Sequence, residues 1–205
     1  MGASSLKNKE IHKIVSEIKY LDNLFQRLLK ILPNFDITDS KILPYGLKPH
    51  TRSVSWLVEQ VVVQQTKFRA KKLGIGDVNF DLPDTCLHDC EILTGKKKLY
   101  VNIKIHNVSG KENKNDISAV EKLYFQYVAN PDYDLIYACF GIKFENIKIR
   151  FDKNYLVLFS PQFLPIYVNP RNDKIQATYH HKPILRTRKG FLELLKKHSR
   201  SITLG

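Results

Sequence analysis

The sequence has little cysteine and no long apolar run. Its three cysteines, Cys86, Cys90 and Cys139, include no C-x-x-C pair, which argues against a disulfide framework or a zinc cage. Apolar runs such as residues 61–63 fall far below the roughly 18 residues that a membrane-spanning helix needs. The first residues also lack the charged and then apolar plan of a signal peptide. We therefore expect a cytoplasmic protein with no membrane partner.

Acidic residues are scarce relative to basic ones. The 205 residues contain 33 Lys and Arg against 20 Asp and Glu, a formal net charge of +13. The excess is concentrated in residues 171–200, which hold nine Lys and Arg but only two acids. This distribution favours a polyanion such as nucleic acid as the partner. A solvated basic surface that serves only solubility is the alternative.

Length and hydrophobic content predict one domain that spans residues 1–205, because 43% hydrophobic residues suffice for a core. Residues 1–35 are predicted to be helical, since apolar residues recur three and four apart from Ile11 to Leu32 and Pro33 follows. This stripe packs either on the protein's own core or in a two-helix seam of a dimer. A second helix is predicted over residues 54–71, with Ser53 as a possible N-cap and Gly74 at its end.

The remaining chain alternates between strand and helix patterns, which indicates the α/β class. A loop is predicted over residues 74–83 and a hairpin over residues 87–105. Further elements follow in order: a helix at 116–127, strands at 135–142, 146–151 and 155–159, and a final helix at 189–197.

The hairpin at residues 87–105 is the most informative segment. A Gly-containing turn at 94–97 pairs positions whose numbers sum to 191, so that Asp89 lies opposite Asn102. Because strand side chains alternate between faces, one face carries polar groups: Asp89, Glu91, Asn102 and Lys104. The other face is apolar: Cys90, Ile92, Leu99, Val101, Ile103 and Ile105. By alternation alone, a solvated sheet face is the favoured explanation of such a pattern.

One acid on the first strand, followed on the second by an Asp-like residue and a lysine two positions later, resembles the PD-(D/E)xK nuclease superfamily. The matching positions are Asp89, Asn102 and Lys104, although the superfamily has Asp or Glu where this chain has Asn102. The order of the Asn169-Pro170 and Arg186-Thr187-Arg188 segments also resembles type II restriction endonucleases of the SwaI-like and EcoRV-like blunt-cutting kind.

The resemblance implies a restriction-endonuclease-like mixed β-sheet flanked by helices, with Mg²⁺ as the cofactor. Asp89 would be the main metal ligand together with the backbone carbonyl of Ile103, and Lys104 would position or help deprotonate the attacking water. Glu59, on the second helix, would be an accessory carboxylate, and Glu91 is another acid that could serve. Asn102 brings an amide oxygen without charge, either as a natural variation or as an Asp-to-Asn replacement.

The expected DNA contacts come from two polar segments rich in the side chains that reach phosphates and base edges. The candidates are Lys111, Asn113, Arg171, Asn172, Gln176, His180, His181, Arg186 and Arg188. Residues 165–205 thus form an expected basic, DNA-contacting segment. A palindromic target would require a homodimer, with the first helix as the expected seam.

The sequence thus predicts a Mg²⁺-dependent, sequence-specific endonuclease that cuts double-stranded DNA, as the resemblance to bacterial restriction enzymes implies. A DNA-binding protein that keeps the nuclease scaffold but has lost catalysis through Asn102 is the alternative. A junction-resolving nuclease that reads DNA shape is a third possibility.

Overall fold

A computed structural model describes residues 3–45, 51–95, 97–110, 115–177 and 182–198. The helices are α1 (Ala3–Ile31), α2 (Thr51–Phe68), α3 (Ala70–Leu73), α4 (Val120–Ala129), α5 (Arg188–His198) and one 3-10 turn (Pro161–Phe163). The strands are β1 (Phe35–Asp36), β2 (Asp77–Asn79), β3 (Cys90–Thr94), β4 (Lys97–Asn107), β5 (Asn115–Ala119), β6 (Leu135–Glu145), β7 (Lys148–Phe159), β8 (Tyr167–Asn169) and β9 (Lys174–Ala177). No helix within these ranges is long and apolar enough to cross a bilayer.

Six strands form one mixed sheet in the order β1-β7-β6-β4-β3-β2. Only β4 and β6 run parallel within it, and the other neighbours are antiparallel. Helices α1 and α2 cover one face and enclose the larger core cluster, while α4 and α5 cover the other. This arrangement confirms the expected α/β class with a mixed sheet between helices.

Helix α1 packs its apolar stripe on this sheet. Leu21, Leu24 and Leu28 are fully buried, and burial of side chains of this size contributes roughly 1.5–3 kcal/mol each. Lys153 of β7 caps the C-terminal end of α1, because its Nζ donates to the carbonyl oxygen of Leu29 at 2.5 Å. The stripe therefore serves the protein's own core. A dimer seam along α1 stays a prediction.

The hairpin of β3 and β4 confirms the predicted register. Glu91 pairs with Tyr100 and Thr94 pairs with Lys97. The numbers of paired residues therefore sum to 191, as predicted from the position of the turn. Gly95 occupies the turn with φ of +57°, a conformation that residues with a side chain rarely adopt. The predicted apolar face also packs into the larger core cluster.

Several predicted boundaries are wrong because tertiary pairing overrides the local pattern. Helix α2 begins at Thr51, so Ser53 lies inside it rather than at its cap. Residues 77–79 form β2 within the predicted loop, since Val78 is fully buried opposite Ile92 of β3. Residues 115–119 form β5 rather than the start of a helix, because they pair with β9. The two strands predicted between 146 and 159 are the single strand β7.

Three strands form a second, antiparallel sheet in the order β5-β9-β8. Its inner face packs on the second core cluster through the fully buried Ile175 and through Val168. Because side chains alternate along a strand, the neighbours Lys174 and Gln176 project from the opposite face. The second sheet therefore has one apolar and one polar face.

Candidate active site

Asp89 lies immediately before β3 and is tied to the neighbouring strand. Its Oδ2 accepts a hydrogen bond from the backbone N–H of Ile103 at 2.6 Å. Burial raises the pKa of Asp89, while the positive charge of Lys104 and the Ile103 N–H both act to lower it. The carboxylate is thus fixed against β4 in a partly desolvated position, and Lys104 acts on it electrostatically.

Asn102 of β4 is buried, with 8% of its surface exposed. Its Nδ2 donates to the carbonyl oxygen of Leu87 at 2.9 Å. Only the nitrogen can make that contact favourably, so the orientation of the amide is determined. The Oδ1 atom is buried without a hydrogen-bond partner among the described residues. An orphaned buried oxygen costs free energy unless some group binds it.

Glu59 of α2 belongs to the same electrostatic group. Burial raises the pKa of Glu59 to about 7, the positive charge of Lys104 acts to lower it, and the negative charge of Asp89 acts to raise it. These interactions bring the accessory carboxylate proposed from sequence together with the aspartate and the lysine. The Nζ of Lys104 also lies 5.9 Å from the ring centroid of Tyr137 on β6.

The oxygen atoms of this group suit a hard divalent cation. Mg²⁺ is usually held by one or two carboxylates together with water and substrate phosphate, and Asp89 and Glu59 supply two carboxylates. The unpartnered Oδ1 of Asn102 fits the role of a neutral oxygen ligand. Within the described ranges, no group of three or more His, Cys, Asp or Glu side chains could hold a metal ion. Asp89, Glu59 and Asn102 therefore offer a cation two carboxylates and one amide oxygen, which is one negative charge fewer than three acids would bring.

Glu91 lies in a different polar group. Its carboxylate accepts from Asn79 at 3.1 Å, pairs with Lys98 at 3.0 Å and faces His88 Nε2 at 3.7 Å. Burial acts to raise the pKa of Glu91, but the Asn79 hydrogen bond and Lys98 outweigh it and lower the pKa overall. These partners already balance the negative charge of the Glu91 carboxylate. Its role as a metal ligand, like that of the Ile103 carbonyl, stays a prediction.

The predicted DNA-contacting residues divide into three groups. Lys111, Asn113, His180 and His181 lie outside the described residues. Arg171, Asn172 and Gln176 lie in and beside the β8–β9 hairpin, and Arg171 and Asn172 are exposed.

Arg186 and Arg188 make extensive contacts inside the protein. Arg186 Nη1 donates to the carbonyl oxygens of Gln162 and Leu164 at 2.9 and 2.6 Å. Arg188 donates to three backbone carbonyls and pairs with Asp134 at 3.1 Å, and it is only 16% exposed. Both arginines therefore brace the start of α5, and DNA contact by either one stays a prediction.

Asp116 is a polar residue that the sequence analysis did not select. Its two carboxylate oxygens accept from Asn172 Nδ2 at 2.9 Å and Gln176 Nε2 at 2.7 Å. These residues lie about 60 positions apart in the chain, so local spacing carries no signal of the contact. The alternation of residues 116–119 is the one sequence feature that indicates the strand on which Asp116 lies.

Comparison with known proteins supports the fold at a coarse level. No family model matches the chain, and no curated protein is similar to it in sequence. Among solved structures, the NlaIV restriction endonuclease is similar with a TM-score of 0.56 and 14% sequence identity. The similarity covers 86% of this chain and 78% of that chain. The fold is therefore restriction-endonuclease-like, and at this identity the likeness establishes the fold alone.

Proposed function

We propose that the protein is a Mg²⁺-dependent type II endonuclease of the PD-(D/E)xK kind that cuts double-stranded DNA at a specific sequence as a homodimer. One observation carries the proposal. Asp89 is hydrogen-bonded to Ile103 N–H and interacts electrostatically with Lys104 and Glu59, on a sheet of restriction-endonuclease-like topology. The net charge of +13 supports a polyanionic substrate.

The roles of the residues follow from their chemistry. Asp89, Glu59 and Asn102 would hold the cation, which when bound supplies positive charge against the phosphate and acidifies water. Lys104 donates hydrogen bonds and places a positive charge beside the reacting phosphate, where negative charge increases during hydrolysis. Burial raises the pKa of Glu59 to about 7 in the absence of metal, so binding of the cation near neutral pH would displace a proton from this carboxylate.

Asn102 favours a second candidate function, a DNA-binding protein with little or no catalysis. An amide contributes no charge, so a cation bound at Asp89 has one negative ligand fewer than the superfamily pattern provides. Binding of DNA does not need that charge, because an acid beside phosphates adds repulsion. The two candidates therefore differ in cleavage and agree in binding.

A plasmid digest with Mg²⁺ separates these functions. The parent protein and its Asn102→Asp variant are incubated with supercoiled plasmid, phage DNA and a synthetic four-way junction, with Lys104→Ala in the variant background as the inactive control. Discrete fragments support a sequence-specific endonuclease. Intact DNA that is retarded in a gel by both proteins supports the binding function, and cutting confined to branched DNA supports a resolving nuclease.

A further inference from the structure

We propose that the polar face of the second sheet reads base pairs in the major groove, with Gln176 as the residue that recognises adenine and Asp116 as the residue that positions it. This inference rests on the proposed function, since it names the substrate feature that a sequence-specific enzyme would recognise. Asp116 is the added positioning residue. Gln176 and Asn172 take different roles, although the sequence predicts DNA contact for both.

The shape of the second sheet suits the groove. The major groove of B-DNA admits a two-stranded β-ribbon, and β8 and β9 form a hairpin at the edge of the three-stranded sheet, with β8 as its outer strand. Register places Gln176 of β9 opposite both Asp116 of β5 and Tyr167 of β8. Since Ile175 is fully buried on the inner face, Gln176 lies in the central row of the outward face.

The hydrogen bond to Asp116 determines how Gln176 is presented. A carboxylate only accepts hydrogen bonds, so the 2.7 Å contact identifies the Gln176 atom beside it as Nε2. The carbonyl oxygen therefore points away from Asp116. No other hydrogen bond of this side chain occurs among the described residues. One N–H and the Oε1 acceptor thus remain, the pair that binds N7 and the N6 amino group of adenine.

Asn172 uses both ends of its amide inside the protein, whereas within the described part of the chain Gln176 uses only its nitrogen. Asn172 Nδ2 donates to Asp116 at 2.9 Å, and its Oδ1 accepts from the backbone N–H of Lys174 at 3.2 Å. A two-point contact with a base would require this Oδ1 to accept from the base and from the Lys174 N–H at the same time. Asn172 instead braces Asp116, whose two oxygens are then held by two separate side chains. This preorganisation reduces the entropy that Gln176 loses on binding.

The charge of Asp116 indicates which part of DNA this face meets. A carboxylate beside phosphates is repelled, whereas the major groove presents amino donors that acidic groups tolerate. Basic residues lie toward the hairpin turn instead, where Arg171 and Lys174 are exposed. Phosphate contacts position a protein on the duplex and base contacts supply specificity, so the two parts of the hairpin suit the two tasks.

The second sheet is connected to the candidate active site through one tyrosine. The hydroxyl of Tyr137 donates to the carbonyl oxygen of Ile117 at 3.4 Å, next to Asp116 in the chain. The same tyrosine ring has Lys104 Nζ 5.9 Å from its centroid. A duplex bound at Lys104 therefore has the second sheet close by.

The test is a binding selection from a random duplex library without Mg²⁺, so that it does not depend on cleavage. The parent protein is compared with Gln176→Ala, Asp116→Ala and, as a control on the same strand as Gln176, Lys174→Ala. We expect the parent to enrich a site that contains one A·T pair contacted by Gln176. In Gln176→Ala, the preference for A·T over other base pairs at that position should fall by roughly 5- to 150-fold. Asp116→Ala should weaken preference at the same pair. Lys174→Ala should lower affinity for all sequences alike.

A modified base provides a test that needs no variant. Replacing that adenine with 7-deazaadenine removes the N7 acceptor, which should weaken binding by the parent protein and leave Gln176→Ala unaffected. Unchanged preferences in Gln176→Ala or Asp116→Ala, or tight parent binding to the deaza site, would overturn the inference. Binding without sequence preference would also overturn it. The proposed nuclease function fails separately, if Asn102→Asp with Mg²⁺ leaves DNA uncut.

Discussion

Replacement of Asn102 by Asp is the sharpest test of the candidate active site. The change is isosteric and supplies the acid that the superfamily pattern has at this position. It also exchanges the Nδ2 donor, now bonded to the Leu87 carbonyl at 2.9 Å, for an oxygen. The variant therefore gains a charged metal ligand and loses one hydrogen bond. We expect Mg²⁺-dependent cleavage to rise at least tenfold.

General electrostatics and hydrogen-bond energies give the scale of both effects. A tenfold rate corresponds to about 1.4 kcal/mol of activation free energy. Two unit charges 4 Å apart interact by about 4 kcal/mol at an effective dielectric constant of 20, so a new carboxylate beside a cation exceeds this requirement. Without metal, the Leu87 carbonyl loses its donor and a carboxylate is buried near Asp89. An unpaired buried polar group costs roughly 1–3 kcal/mol, so the metal-free variant should be less stable than the parent.

Two measurements check this prediction. Initial cleavage rates of plasmid DNA are compared at several Mg²⁺ concentrations, and thermal unfolding is recorded with and without Mg²⁺. Mg²⁺ should raise the Tm of Asn102→Asp by more than that of the parent. Asn107→Asp is the matched control, because Asn107 lies at the end of the same strand and its Oδ1 accepts from Ser109 N–H, a contact that Asp retains. Cleavage by Asn102→Asp at or below the parent rate would remove Asn102 from the metal site.

Three further changes test the surrounding structure. Burial raises the pKa of Glu59 to about 7, so the metal-free native state binds this proton more tightly than the unfolded state does. The free energy of unfolding therefore falls as pH rises through 5–7. Glu59→Gln should reduce this pH dependence when stability is measured by urea denaturation. Arg188→Met should cost about 3–5 kcal/mol in chemical denaturation, because three backbone carbonyls lose this donor and, among the described residues, the buried Asp134 keeps only Lys13 as a charged partner. The exposed Lys189→Met should change stability by less than about 0.5 kcal/mol. Gly141→Ala should cost about 1–3 kcal/mol, since the new Cβ would lie 2.5 Å from a tyrosine Cβ, and Gly190→Ala, with its nearest atom at 3.5 Å, should leave the Tm unchanged or higher.

Local sequence patterns predicted the elements whose contacts lie close together in the chain. The α1 stripe and the β3–β4 register follow from periods of 3.6 and 2 and from one turn glycine, so they required no knowledge of distant residues. The pairing of Asp89 with the Lys104 strand was predictable for the same reason. Strand β5 was predicted as the start of a helix, because four alternating residues are too short a pattern to exclude one, and residues 115–119 become a strand by pairing with residues 174–177.

The sequence by itself determined the α/β class, the hairpin that carries Asp89, Asn102 and Lys104, and the basic charge. Tertiary structure decided which other side chains join them. Glu59 reaches the hairpin because α2 packs on the sheet beside β4, and Arg188 is engaged by carbonyls more than 50 residues away. Such contacts arise from the common burial of distant segments, and burial depends on how the whole chain packs rather than on the spacing of neighbouring residues.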